Sequence, residues 1–190
     1  MTEDLMFKDE IQELVRDAYQ KVDAPDGPGT RFYSEDQLSR LSPQARRWSL
    51  GVGNPLPYAG LQPGETVLDL GSGAGLDMLL AAQEVGATGR AIGVDFLPSM
   101  VERARALADE AGSGNAEFIQ AEIEDLPLAD ESVDVVISNS SINLSARKSR
   151  VFAEAHRVLR PGGRLCISDL TIDEDELPPE ILTHPSAWAG

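Results

Sequence analysis

The run VLDLGSGAG at residues 67–75 constrains the fold more than any other part of the chain. A buried strand ends at Asp69 and Leu70, then turns through Gly71, Gly73 and Gly75 into a helical pattern. Glycine is needed where a ligand must approach the backbone without an intervening β-carbon, and where the turn needs unusual dihedral angles. A glycine triplet also makes a tight turn with no ligand, so its meaning rests on context. The context is alternation. β-prone runs at residues 66–70, 91–94, 116–119, 133–138 and 164–169 are separated by helical patterns at residues 75–85, 98–111 and 146–159. Alternating strands and helices predict βαβ units, right-handed crossovers and a mostly parallel sheet in an α/β domain. Pro98 suits a helical first turn, and Pro161-Gly162-Gly163 stops the last helix.

The first fifty residues read differently. Ile11, Leu14, Val15 and Tyr19 fall at helical spacing within residues 6–20. Residues 23–30, with two prolines and two glycines, predict a flexible loop. Ser34 with Gln37 three places on predicts a capped helix running to about residue 46. Residues 51–64 form a turn-rich lead-in. The expected organisation is a helical segment at 1–50, an α/β domain at 51–172 and an acidic tail at 173–190.

Charge and cysteine content narrow the functions. A formal net charge of −16 repels phosphate backbones and anionic membranes, so neither nucleic acid nor a lipid surface is an expected partner. Lysine occurs only as Lys8, Lys21 and Lys148. Solubility in salt and a GC-rich genome both fit that bias. The charged first ten residues predict no signal peptide, and no run is apolar enough to span a bilayer, so a cytoplasmic location is expected. Cys166 is the only cysteine, which excludes an internal disulfide and a cysteine-cluster metal site, and no metal is expected.

Two further motifs give the glycine turn a ligand. AIGVD ends in Asp95, and an acid at the tip of a second strand can accept hydrogen bonds from both hydroxyls of a ribose. The glycines are spaced G-x-G-x-G, with Asp69 two residues before the first. Diphosphate-binding dehydrogenases use G-x-G-x-x-G instead. A nucleoside with a cationic, amino-acid-like tail fits better than a dinucleotide. In QAEIEDLPL, residues 120–128, Glu122 can accept from an adenine amino group while the Ile123 amide meets a ring nitrogen. At the end of the fourth strand, Asn139, Ser140, Ser141 and Asn143 can orient a polar substrate, although Asn143 and Ser145 equally suit a helix cap. No general base is evident. His156 reads as a surface or packing residue, and Tyr33, Trp48 and Tyr58 as lid or core aromatics.

Taken in order, VLDLGSGAG, IGVD, EIEDLP and EAHRVLRPGGRL resemble the class I S-adenosylmethionine-dependent methyltransferases over residues 51–170. SLGVGNP, SVDVVISNSSINLS, YSEDQLSRL and the closing AWAG look more narrowly like arsenite methyltransferases. The resemblance implies a Rossmann-like fold, S-adenosylmethionine as cofactor and a small-molecule substrate. It assigns Asp69, Gly71, Ser72, Gly73, Gly75, Asp95, Phe96, Glu122, Ile123 and Asn139 to the cofactor, and makes Ser140, Ser141 and Asn143 the substrate-side candidates. It also exposes departures. Where the family carries arsenic-binding cysteines, this chain has Val52, Ser140 and Ala187, and the paired cysteines near residues 23–30 are absent. Soft thiolates suit As(III), so these replacements argue against an arsenical. The family's sheet adds two strands that the chain is expected to lack. That would leave residues 164–169 as an edge open to self-association or a partner chain. The competing expectation is a catalytically inactive or truncated relative that acts as a binding or regulatory partner.

Overall fold

The computed structural model describes residues 26–171, with Glu13 and Arg16. Apart from Glu13 and Arg16, the expected helix at residues 6–20 lies outside the described residues, as do Ala187 and the acidic tail. Five parallel strands form one sheet in the order β3-β2-β1-β4-β5: β1 is Thr66–Leu70, β2 Arg90–Asp95, β3 Ala116–Gln120, β4 Val133–Asn139 and β5 Leu159–Ser168. The chain starts in the centre, builds outward to β3, then returns to the other side of β1. The order reverses between β1 and β4, and ligands of open α/β sheets bind at the carboxyl ends of strands beside such a reversal.

The two faces of the sheet bury separate clusters, and the pleat divides successive residues between them. Val67, Val135 and Ile137 join one cluster with Met78, Leu79, Ala104 and Phe118. Leu68, Leu70, Ile92 and Val136 join the other with Val151, Ala155 and Val158. Each large side chain so buried contributes about 1.5–3 kcal/mol. This two-sided burial explains why the strands read as near-continuous apolar runs.

The three long helices follow the sequence closely. Helix α4, Leu76–Val85, begins at Gly75; α5, Pro98–Ala111, has proline in its first turn; α6 is Lys148–Val158. Helix α6 starts two residues later than its pattern suggests, because Ser145 accepts from the Arg147 amide and turns the chain first. Strand β5 begins earlier than expected, at Leu159. Its register shifts between Val133 and Val135, so residues 160–163 bulge out before Arg164 pairs with Val135.

The lead-in needs two corrections. The helix expected over residues 34–46 is two short ones, α1 Glu35–Ser39 and α2 Pro43–Arg47. Ser34 and Gln37 do form the capping box, but Pro43 has no N–H to continue a helix, and Ser42 caps a new one by accepting from Ala45. The loop expected at residues 23–30 is, from residue 26, held in place. A 3-10 turn at Pro28–Phe32 lies against the chain beyond α2, with Gly27 donating to Arg46 at 3.0 Å and Gly29 to Ser49 at 2.8 Å. One further helical turn, α3 Leu56–Ala59, precedes β1. Tyr33, Leu41 and Ala45 share the first core cluster with the sheet.

Candidate functional site

The carboxyl ends of β1, β2 and β4 open into a cleft. Its floor is the glycine turn. Gly71 and Ser72 donate to the Val94 carbonyl at 2.8 and 2.9 Å, which binds the turn to the tip of β2. Gly71 has φ +75°, and a β-carbon there would lie 2.1 Å from the Ser141 hydroxyl. Gly73 has φ +54°, but its missing β-carbon faces no atom within 4 Å. Gly71 is therefore glycine to let the protein pack on itself, and Gly73 leaves open backbone toward the cleft.

Acids surround that opening. Asp95 takes two backbone hydrogen bonds, from Gly73 to Oδ2 and Leu97 to Oδ1, each 2.9 Å. Its carboxylate thus shapes the turn as well as facing the cleft. Burial raises its pKa, and the Leu97 and Gly73 amides oppose that rise. Asp69 is 2% exposed, and its Oδ1 has no hydrogen-bond partner among the described residues. The Ser72 hydroxyl has none either. Burial, then the charges of Asp77 and Asp95, hold the Asp69 carboxyl well above the usual range. Asp77, in the first turn of α4, is pushed up to about 6 by burial, against hydrogen bonds from Tyr33 and Asn139. Glu122 and Glu124 complete the set, and the described lining contains no lysine, arginine or histidine.

The sequence-derived candidates separate here. Asp69, Gly71, Ser72, Gly73, Asp95 and Phe96 line the cleft. So do Glu122, Ile123, Asn139 and Ser141. Gly75 lies just behind, as the N-cap of α4 with φ +86°. Ser140 and Asn143 are outside the lining. Ser140, at φ +67°, turns its hydroxyl back to accept from Val52 N at 2.7 Å. The Asn143 amide donates to Asp169 Oδ2 at 3.1 Å, and its side chain donates to the Leu170 carbonyl. Of the two suggested caps, Ser145 acts at the α6 entrance and Asn143 does not.

Tyr33, Trp48 and Asp77 line the cleft beside the sequence-derived set. Tyr33, read as lid or core, is both: its ring joins the first cluster and its hydroxyl reaches Asp77 Oδ1 at 2.7 Å. Trp48 lines the cleft with the Arg103 guanidinium 3.7 Å from its ring centroid, whereas Tyr58 is 84% exposed. Asp77 went unnoticed because an acid in a helix's first turn is ordinarily explained by the helix dipole. Its position two residues after the last glycine of the turn was the available signal.

Two of the positions that carry cysteine in the resembled family, 52 and 140, meet each other. Val52 N bonds both Ser140 Oγ and Asn139 Oδ1. Cys166 is half-buried, with its thiol 3.3 Å from the Pro55 carbonyl, and does not line the cleft. Among the described residues no group of three or more histidine, cysteine or acidic side chains could hold a metal, and no helix is long and apolar enough to cross a membrane.

A nucleoside with a positively charged tail fits these residues. The open Gly73 backbone admits it, no cation lines the described cleft beside Asp69, Asp77 and Asp95, and Asp69 Oδ1 and Ser72 Oγ have no partner among the described residues. Comparisons with known proteins agree. Residues 61–189 match the methyltransferase domain family. An arsenite methyltransferase of Halobacterium salinarum is 52% identical over 158 residues, covering 83% of this chain and 40% of that protein. The crystal structure of an arsenic(III) S-adenosylmethionine methyltransferase from Chlamydomonas reinhardtii is 42% identical with a TM-score of 0.72, covering 85% of this chain and 55% of the other. A SAM-dependent methyltransferase from Aquifex aeolicus is 26% identical with a TM-score of 0.60, covering 82% and 78%. The chain thus spans about half the length, or less, of the arsenic-handling proteins it matches. With its parallel sheet, glycine turn and acid-lined cleft, the chain belongs to the methyltransferase domain family, as a class I S-adenosylmethionine-dependent member similar to arsenite methyltransferases.

Proposed function

We propose that this chain binds S-adenosylmethionine in the cleft and supports methyl transfer to a small nucleophile that is uncharged or cationic. One observation carries the reading: among the described lining residues every charged side chain is a carboxylate, arranged around an Asp69 oxygen that has no partner among them. Bound there, S-adenosylmethionine supplies a sulfonium methyl open to in-line displacement. The contribution of the chain is orientation and exclusion of water. Asp95 and the Gly73 backbone position the nucleoside end, Glu122 and Ile123 face the base, and Ser141 and Asn139 border the substrate side. Carboxylates repel an anionic substrate. With no general base evident beside Ser141, a nucleophile that needs no deprotonation is favoured.

The substrate remains an expectation about chemistry. Thiolates coordinate As(III) well, but no thiol lines the described cleft. Purified chain incubated with arsenite, thiol and cofactor should therefore yield no methylarsenicals, and their detection would overturn the reading of Val52 and Ser140. Methyl-labelled cofactor should instead transfer label to thioethers or unprotonated amines. Failure across both classes, with cofactor bound, would count against an active transferase.

A second reading draws on the sheet edge. Strand β5 borders the described sheet, with Leu165 and Ile167 about two-fifths exposed. An apolar edge invites pairing, so a cofactor-binding regulatory chain that works through a partner or a second copy is the alternative. Concentration-dependent association in ultracentrifugation favours it, and a monomer at all concentrations opposes it. A cytoplasmic location belongs to both readings.

A further inference from the structure

Asn139 stands at a crossing of three segments. Its Nδ2 donates to Asp77 Oδ2 and Tyr33 Oη, both 3.1 Å, and to the Gly53 carbonyl at 2.8 Å. Its Oδ1 accepts from Val52 and Gly53 at 3.1 and 3.2 Å. The fit leaves no slack: a β-carbon on Gly51 would lie 2.3 Å from Asn139 Nδ2. Tyr33 donates to the other Asp77 oxygen at 2.7 Å. The chain from the 3-10 turn to residue 54 is thereby fastened to the tips of α4 and β4. Trp48, Leu50 and Gly51 of that stretch form one wall of the cleft.

The fastening contains a charge with no ionic partner. Asp77 faces Tyr33 from the lead-in, Asn139 from β4 and Asp69 from β1, and shares the cleft with Asp95, Glu122 and Glu124. No cationic side chain faces it among the described lining residues. A buried carboxylate with only neutral donors is costly until something positive arrives or a proton binds.

We propose that Tyr33, Asp77 and Asn139 form a latch that holds residues 28–54 over the cleft, and that a cationic ligand in the cleft tightens it. The three are positioning residues: they set the wall rather than react. The proposal rests on the cofactor reading only for the identity of the cation.

The sign of its pH dependence follows from linkage. Asp77 titrates near about 6 in the closed cleft, above its ordinary range, so protonation favours the closed form. Closure without ligand therefore strengthens as pH falls through that value. Cation binding runs the other way, since it needs the carboxylate charged, and weakens over the same interval. Tyr33→Phe removes a donor that favours the charged carboxylate, which moves the midpoint of binding to higher pH.

The test combines amide hydrogen exchange with calorimetry on the full chain. Exchange, corrected for intrinsic rate, is followed at Val52 and Gly53 relative to Leu68 and Val94 in the sheet. Wild type should gain protection at Val52 and Gly53 on acidification from about pH 7.5 to about 5, and at pH 7.5 on adding S-adenosylmethionine. Tyr33→Phe should lose roughly tenfold in protection at pH 7.5 and bind S-adenosylmethionine roughly five- to tenfold more weakly. Asp77→Asn should shrink the pH step to what Asp69 contributes. Protection in wild type that is indifferent to pH overturns the latch, even if both variants fail to fold. A folded Tyr33→Phe chain with unaltered protection and midpoint overturns it as well. If wild type fails to bind the cofactor yet shows the pH step, the cofactor reading falls and the latch stands.

Discussion

Asp77 and Glu154 expose equally little surface, 7% each, but Asp77 lies much deeper, and the protein treats the two acids in opposite ways. Glu154 on α6 receives both prongs of Arg157, at 2.9 and 2.7 Å, and the Leu126 amide at 2.8 Å. Arg157 also reaches the Leu126 and Leu128 carbonyls, so acid and base together tie the segment after β3 to α6. The Arg157 hydrogen bonds, opposed by burial and helped by the Leu126 amide, bring Glu154 down to about 2. Asp77 has only a phenol and an amide, and burial pushes it up to about 6. A structural acid is neutralised by the chain that carries it. An acid left high in a cleft, beside an unsatisfied Asp69 and a glycine facing open space, is on the proposed function one whose counter-charge a ligand supplies.

Substitutions should separate the two regions. The largest effect is expected from Gly73→Val, which puts a side chain into the open cleft at a left-handed position. Affinity for S-adenosylmethionine should fall by roughly a hundredfold or more, with about 1–2 kcal/mol of backbone strain; calorimetry and thermal unfolding measure the two. Asp95→Ala comes next. It removes the acceptor for Gly73 and Leu97 and the group facing the ribose, and should weaken binding by more than about tenfold. Unchanged affinity would take Asp95 out of the site. Glu154→Gln should do the reverse: stability drops by about 1–3 kcal/mol, read by chemical denaturation, while cofactor affinity stays constant. An affinity change there would dissolve the contrast between the regions.

The smallest effect is on pH dependence, and its signs differ. The stability from Glu154 is present above its unfolded range near 4.5 and is lost as pH falls toward about 2. The Asp77 contribution is fully present below its unfolded value near 3.8 and is lost as pH rises through about 6. The cofactor-free chain should thus lose some stability between about pH 4 and 6, and Asp77→Asn should reduce that loss without altering the acid limb.

How much of this was legible in the sequence tracks with locality. Strands β1 to β4, the three long helices and the glycine turn were readable because each is set by neighbours within a few residues: apolar runs, caps, prolines. The capping box of Ser34 and Gln37 was local too. The break at Pro43 is equally local, since proline has no N–H to continue the helix that Ser34 starts. The ordered lie of residues 26–30 depends on carbonyls of residues 46 and 49, and no local pattern reports such contacts. The site divides likewise. Asp69, the glycines, Asp95, Glu122 and Ile123 sit at strand tips, where motif and topology coincide. Tyr33 with Asp77, and Ser140 with Val52, are pairs 44 and 88 residues apart that only the folded chain brings together. Ser140 and Asn143 looked substrate-facing because they follow β4. The left-handed turn at Ser140 and the pull of Asp169 on Asn143 send them elsewhere.

The central claim is that the acid-lined cleft is a working site for a cationic nucleoside cofactor. Calorimetric titration of the purified chain with S-adenosylmethionine, and separately with NAD, tests it most directly. The account predicts stoichiometric, micromolar-range binding of S-adenosylmethionine and none of NAD. Absence of S-adenosylmethionine binding by a chain whose circular dichroism shows it folded would contradict it.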